Sequence, residues 1–208
     1  MGHLISESDE HRIAEVIAEA ERKTSGEIVA VLAAESSTYL YAPFLWASVV
    51  ALSLPLILIL GTWWPASWIY LAQLGVFAAM LTVTLPRPMR YALVPQSVKR
   101  ARVRRRALEQ FLVQNLHTTE GRTGVLIFVS AAERRAEIVA DAAIEARVPK
   151  DTWQGIVDRL TAAFSQDRHV EGFIAAIEEV GGHLAKHFPP GSCDANRLPD
   201  HLIVLNES

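Results

Sequence analysis

His183 and His187 stand four residues apart, with Cys193 and His201 downstream. Imidazole and thiolate are zinc ligands, and a spacing of four places two of them on one helical face. The residue after the first histidine is Leu184, where a helical zinc protease needs a glutamate. The spacing to Cys193 fits no standard zinc site, so these residues read as ordinary packing or surface side chains. A second set is acidic. Asp141, Glu145, Asp151 and Asp158 follow one another closely and offer oxygen ligands to a hard cation. Asp141, Glu145 and Asp151 are the candidate metal ligands. The competing reading makes Asp151 a helix cap, with Gln154 three residues on as its capping-box partner. A third set is basic: Lys99, Arg100, Arg102, Arg104, Arg105 and Arg106. Such a run attracts nucleic acid or anionic lipid headgroups. Its place just beyond a long apolar stretch selects the headgroups and argues against nucleic acid. Ser25 and Ser130 lack a nucleophile-elbow context, and the glycines form no phosphate-cradling loop.

The apolar stretch dominates the chain. Of 208 residues, half are hydrophobic and 21% are charged, with a net charge of −3. From Ser36 through Pro86 there is no Asp, Glu, Lys, Arg or His. A bilayer core about 30 Å thick needs roughly 20 apolar helical residues. Two spans fit, near 43–62 and 67–86, joined by Trp63-Trp64-Pro65-Ala66. Trp68 and Tyr70 extend that aromatic belt, and Tyr39, Tyr41 and Trp46 are expected at the opposite interface. Small residues predict the packing faces, Ala47 with Ala51 on the first span and Gly75 with Ala79 on the second. Pro55 is expected to kink the first span. Neither span carries a charge, so an ion pathway has no relay. Arginines and lysines flank the pair while the connecting turn has none. The positive-inside rule then places both termini and the flanking domain in the cytoplasm, with the turn outside.

The flanks read as one domain interrupted by the hairpin. Ser6 to Asp9 opens a helix with Ile13, Val16 and Ile17 on one face, and Glu27–Ala33 is a strand. Beyond the hairpin, Ser97 caps a basic helix running to about Leu116. Residues 125–129 form a strand apolar on both faces, and 136–140 pair with it as a β-hairpin. Two amphipathic helices follow, one opening at Pro149 and one spanning Glu171–Phe188. A lone strand at 27–33 cannot cover its faces, so it joins the later strands in one sheet with the basic helix as crossover. The expected class is α/β, a small α/β sandwich with a two-helix transmembrane hairpin inserted after the first strand. Its parts are 1–38, the hairpin at 39–90, 91–190 and a tail at 191–208. The single Cys193 excludes an internal disulfide.

Several segments together resemble TPM domains. Thr24-Ser25-Gly26-Glu27-Ile28 looks like their opening. Arg122 through Ser130, then Glu133-Arg134-Arg135 and Ile138, looks like their central hairpin. Trp153-Gln154-Gly155-Ile156-Val157 and Gly172-Phe173-Ile174-Ala175-Ala176-Ile177 resemble their closing helices. His187-Phe188-Pro189 and Asn196-Arg197-Leu198-Pro199-Asp200 resemble the end of a bacterial, membrane-anchored subgroup. The resemblance implies a small α/β sandwich, and an inner-membrane location. It implies assembly or repair of membrane protein complexes, an acid-phosphatase activity, or binding of Ca²⁺. Where the family has Gly-x-Gly-Leu-Glu after the third strand, this chain has Asp141-Ala142-Ala143-Ile144-Glu145, which keeps only the glutamate. Residues and resemblance together point first to a non-catalytic, membrane-anchored interaction domain. A metal-assisted phosphatase is the alternative.

Overall fold

The computed structural model describes residues 5–119, 121–191 and 201–205. They fall into two compact units, Met1–Ser36 with Arg100–Ser208, and Ser37–Lys99.

The first unit is built on a four-stranded sheet of order β3-β2-β1-β4, with β1 Glu27–Ala33, β2 Gly124–Ser130, β3 Arg135–Ala140 and β4 Ile203–Leu205. β1 runs parallel to β2 in register from Glu27↔Gly124 to Ala33↔Ser130, and β3 returns antiparallel to β2. Alternation along the strands gives the sheet two apolar faces. Ile28, Ala30, Leu32, Val125, Ile127 and Val129 point to one side. There they meet α1 (Glu7–Glu21), α7 (Lys150–Ser165) and α8 (His169–His187). Val29, Val31, Leu126 and Phe128 point to the other, covered by Val103, Ala107 and Phe111 of α5 (Gln96–Val113). That double burial is why β1 and β2 read as continuous apolar runs. α5 is the crossover between the two parallel strands, as expected. A 3-10 turn at Leu116–Thr118 then leads into β2. Gly124 is required there: a Cβ would stand 2.7 Å from the Leu116 carbonyl oxygen.

Several local expectations need correction. α5 begins at Gln96, so Ser97 lies inside the helix rather than at its cap. α7 starts behind Pro149 with no side-chain cap, and Gln154 donates to Asp158 Oδ1 at 2.8 Å instead of closing a capping box with Asp151. A short helix, α6 (Ala142–Glu145), precedes it. The tail strand β4 lies parallel to β1 at the sheet edge.

The second unit is a helical hairpin of α2 (Tyr41–Gly61) and α3 (Ala66–Thr84), followed by α4 (Arg87–Ala92). Both long helices are apolar enough to cross a membrane, with mean hydropathy 2.3 and 1.6. α2 continues through Pro55. Ala47 and Ala51 are buried as expected. Gly75 and Ala79 are not: both are exposed, and a Cβ on Gly75 would meet nothing. α3 turns inward a different stripe, Ile69, Gln73, Val76, Phe77, Met80 and Thr84, spaced by three and four. Tyr39 is also buried. It packs edge-on to Tyr91 at 5.3 Å, and the Arg90 guanidinium lies 5.7 Å from the Tyr91 ring. Tyr41, Trp46, Trp63, Trp64, Trp68 and Tyr70 are exposed.

Candidate functional site

The sheet of the first unit has two ends, and each gathers polar groups. At the end where β1 and β2 begin, the loop before each strand is tied to its neighbour. Glu27 N–H donates to the Thr123 carbonyl at 3.1 Å, and Thr123 Oγ1 donates to the Ser25 carbonyl at 3.0 Å. Thr24 Oγ1 and Ser25 N–H both donate to the Phe188 carbonyl at the close of α8, at 2.7 and 3.0 Å. β3 ends here too, because it runs the other way. Asp141 therefore lands beside the start of β2, its N–H donating to the Gly124 carbonyl at 2.9 Å.

Asp141 is the only buried member of the acidic set among the described residues. Its Oδ1 caps α6 by accepting the Ala142 N–H at 2.7 Å, and Arg122 Nη1 lies 3.6 Å from the same oxygen. Its Oδ2 is shielded from solvent and has no hydrogen-bond partner. Arg122 is held in the left-handed region at φ 58°, in the bend that delivers it to the carboxylate. Glu145, the last residue of α6, and Asp151, in the first turn of α7, are exposed. No group of three or more His, Cys, Asp or Glu side chains among the described residues is arranged to hold a metal ion. The structure thus gives Asp141 a guanidinium for company rather than Glu145 and Asp151. Chemically this is a capped, ion-paired carboxylate with one free acceptor oxygen, poised to accept a further proton donor.

The histidines are dispersed. His183 stacks its edge toward Trp153 with ring centroids 6.2 Å apart. The His187 carbonyl accepts from Arg147 Nη1 at 2.9 Å. His201 is exposed, next to β4. Cys193 and the stretch Asn196–Asp200 lie outside the described residues.

The basic run divides by helical position. Lys99 is buried, whereas Arg100, Arg102, Arg104, Arg105 and Arg106 are exposed on α5. Arg104 Nη1 reaches across to Glu137 Oε1 of β3 at 3.2 Å. Burial pushes the Glu137 carboxyl above its ordinary range, against the pull of Arg104, Arg100 and Arg135. Arg105 and Arg106 both hold Glu109, at 3.0 and 3.3 Å, and their hydrogen bonds keep its carboxyl below the usual range.

Two residues at the opposite end of the sheet carry weight that sequence reasoning passed over. Glu133, in the β2–β3 turn, is buried and accepts from the Ser36 N–H with both carboxylate oxygens, at 3.0 and 3.2 Å. It also accepts from Ser130 Oγ. The available signal was a glutamate three residues after the serine that ends an apolar strand, a spacing that closes a tight turn on itself.

Comparison with known proteins agrees with this architecture. Residues 89–183 match the family model of the TPM domain. No curated protein matches the sequence. Among solved structures, the chain is similar to the NMR structure of BA42 protein from the psychrophilic bacteria Bizionia argentinensis. The TM-score is 0.62 and the identity 20%, over 98% of this chain and 97% of that one. At that identity the likeness speaks to the fold. The family match begins at Met89 and runs through α5, β2, β3, α6, α7 and most of α8, while β1 completes the sheet from before the hairpin. This chain carries a TPM domain.

Proposed function

We propose that the chain is an integral protein of a bacterial inner membrane. In this reading α2 and α3 are its anchor and the TPM domain acts in the cytoplasm as an interaction or assembly and repair factor for membrane protein complexes. One observation carries the reading: the apolar side chains of α2 and α3 face outward, with 11% and 6% of their most hydropathic windows buried. Turned to water, that surface would cost about 25 cal/mol per Å². Turned to acyl chains it costs nothing. The hydroxyls of the hairpin fit the same solvent. Ser53, Thr62, Thr82 and Thr84 each donate to the carbonyl four residues back, at 2.6 to 2.8 Å, which removes them from competition with lipid. The exposed arginines of α5 supply the cytoplasmic charge bias and attraction to anionic headgroups.

Crosslinking in native membranes followed by mass spectrometry tests the role. A membrane protein complex recovered with the intact chain, and lost when surface side chains of the TPM domain are changed, is the expected result. Reporter fusions after Lys23 and Ser208 should both report cytoplasm, and one between Trp63 and Ser67 the far side.

A second reading, a metal-assisted phosphatase, is favoured by the buried, unpartnered Oδ2 of Asp141. Assay of the purified chain with Ca²⁺, Mg²⁺ and Zn²⁺ separates the two. Turnover that disappears in Asp141→Ala/Glu145→Ala would replace the first reading with the second.

A further inference from the structure

The end of the sheet away from Asp141 holds a cavity whose arginines the first reading uses only as diffuse surface charge. β1 ends at Ala33 and Ser36 follows it. The bonds from the Ser36 N–H to Glu133 pin its backbone against the β2–β3 turn. Ser36 then lines a cavity of about 170 Å³ together with Arg102, Arg105, Arg106 and Glu109 of α5. These four helix positions follow the three-and-four spacing that makes one face. The serine hydroxyl is shielded from solvent and has no hydrogen-bond partner.

The charge and the donors do not balance inside this cavity. Three guanidiniums meet one carboxylate. Arg105 uses Nε and Arg106 uses Nη1 on Glu109, and each guanidinium has five N–H donors. Arg102 has no ion-pair partner among the described residues. The Glu109 carboxylate, kept ionised by its two partners, orients Arg105 and Arg106 and leaves a net positive wall. Three guanidiniums and a hydroxyl lining one cavity, from a helix and a strand end, suit an acceptor with oxygens in several directions. A planar carboxylate has two oxygens; a tetrahedral phosphate has more, and arginine forks match it. The volume exceeds that of several waters, each about 30 Å³ in the liquid, so such a group fits. The location agrees as well, because open parallel sheets take their ligands beyond the carboxyl ends of the strands.

We propose that Ser36, Arg102, Arg105 and Arg106 form a binding site for a phosphate group. The group is either the headgroup phosphate of an anionic lipid or free phosphate. All these residues belong to the first unit, so the site does not rest on α2 and α3 being membrane spans.

Calorimetric titration of the full chain in a neutral maltoside detergent with inorganic phosphate, at ionic strength held constant with chloride, tests it. Saturable binding of one phosphate per chain is expected. Arg102→Gln/Arg105→Gln should weaken it about tenfold or more, and Ser36→Ala about threefold, as for lost charge-assisted and neutral hydrogen bonds. Arg168→Gln/Lys186→Gln removes the same charge from exposed positions of the same unit outside the cavity and should change affinity less than about twofold. Doping the micelles with phosphatidylglycerol identifies the source. Displacement of phosphate from the unaltered chain but not from the cavity variant assigns the site to a lipid headgroup; unchanged affinity assigns it to free phosphate. No saturable binding, or equal weakening by both double variants, overturns the proposal.

Discussion

The two units of this chain are made from the same kinds of residue and arrange them in opposite ways. In the TPM domain Leu126 and Ile127 are fully buried, whereas in the hairpin Leu60 is 83% exposed and Ile57 65%. On the proposed membrane reading, the difference is one of solvent. In water an apolar side chain is stabilised by leaving the surface, so β1 and β2 hide both faces behind helices. In acyl chains there is no such drive, and helix contact is left to small residues and close packing. Ala47 and Ala51 do that here. The comparison also explains the polar groups. In the domain Glu133 finds a long-range partner in Ser36, while Ser53, Thr62, Thr82 and Thr84 of the hairpin bond within their own helix.

The largest effect should come from breaking the domain at its interruption. A chain beginning at Pro95 lacks α1 and β1, exposing one edge of β2 and part of the apolar face that α1 covers. It should lose its cooperative thermal transition. A cooperative melt as stable as that of the whole chain would show that β1 is no part of the core. Next, matched substitutions should separate the units. Phe128→Ala in the sheet centre should destabilise the domain by about 3–5 kcal/mol in denaturant unfolding, as for other buried aromatics. Leu60→Ala should leave that transition within about 0.5 kcal/mol, as for a site outside the core. A matched pair of glycines asks the same question of the backbone. Gly124→Ala drives a Cβ into the Leu116 carbonyl and should cost about 1–3 kcal/mol, as overpacking does. Gly75→Ala meets nothing and should be silent in the same assay.

The smallest effect is electrostatic. The raised carboxyl of Glu137 means the folded domain holds that proton more tightly than the unfolded chain. Its contribution is therefore fully present at pH below the ordinary value of 4.5 and is lost as pH rises through the higher folded value. Glu137→Gln cannot titrate, so its stability relative to the unaltered chain should rise over that window. A relative stability that falls instead would show that the pair with Arg104 outweighs burial.

The sequence shows the strands and the hairpin plainly, because both are set by local pattern. Ile28 to Ala33 and Val125 to Val129 are apolar without a break, and the stretch from Ser36 to Pro86 has no charge. What it hides depends on distant partners. β4 is three residues whose pairing with β1 bridges nearly the whole chain. The inward face of α3 is chosen by its fit to α2, so Gly75 and Ala79 could not be placed by size alone. Tyr39 is buried against Tyr91. At the site, Asp141 stands out as an acid after a strand, but its cap on α6 and its pairing with Arg122 depend on where β3 ends beside β2. Ser36 sits at the boundary of an apolar run, and nothing local marks it as the wall of a cavity lined with arginines.

The central claim is that one folded TPM domain is interrupted by an anchor in lipid. Alkaline carbonate extraction of cell membranes tests it most directly, comparing the full chain with one whose residues 37–95 are replaced by a flexible Gly/Ser linker. Closing such a loop costs only about 0.6 kcal/mol per doubling of its length, so the shortened chain should still fold. The account predicts that the full chain stays in the membrane pellet and the shortened chain is a soluble, cooperatively melting protein. Release of the full chain by carbonate, or an insoluble and unfolded shortened chain, would contradict it.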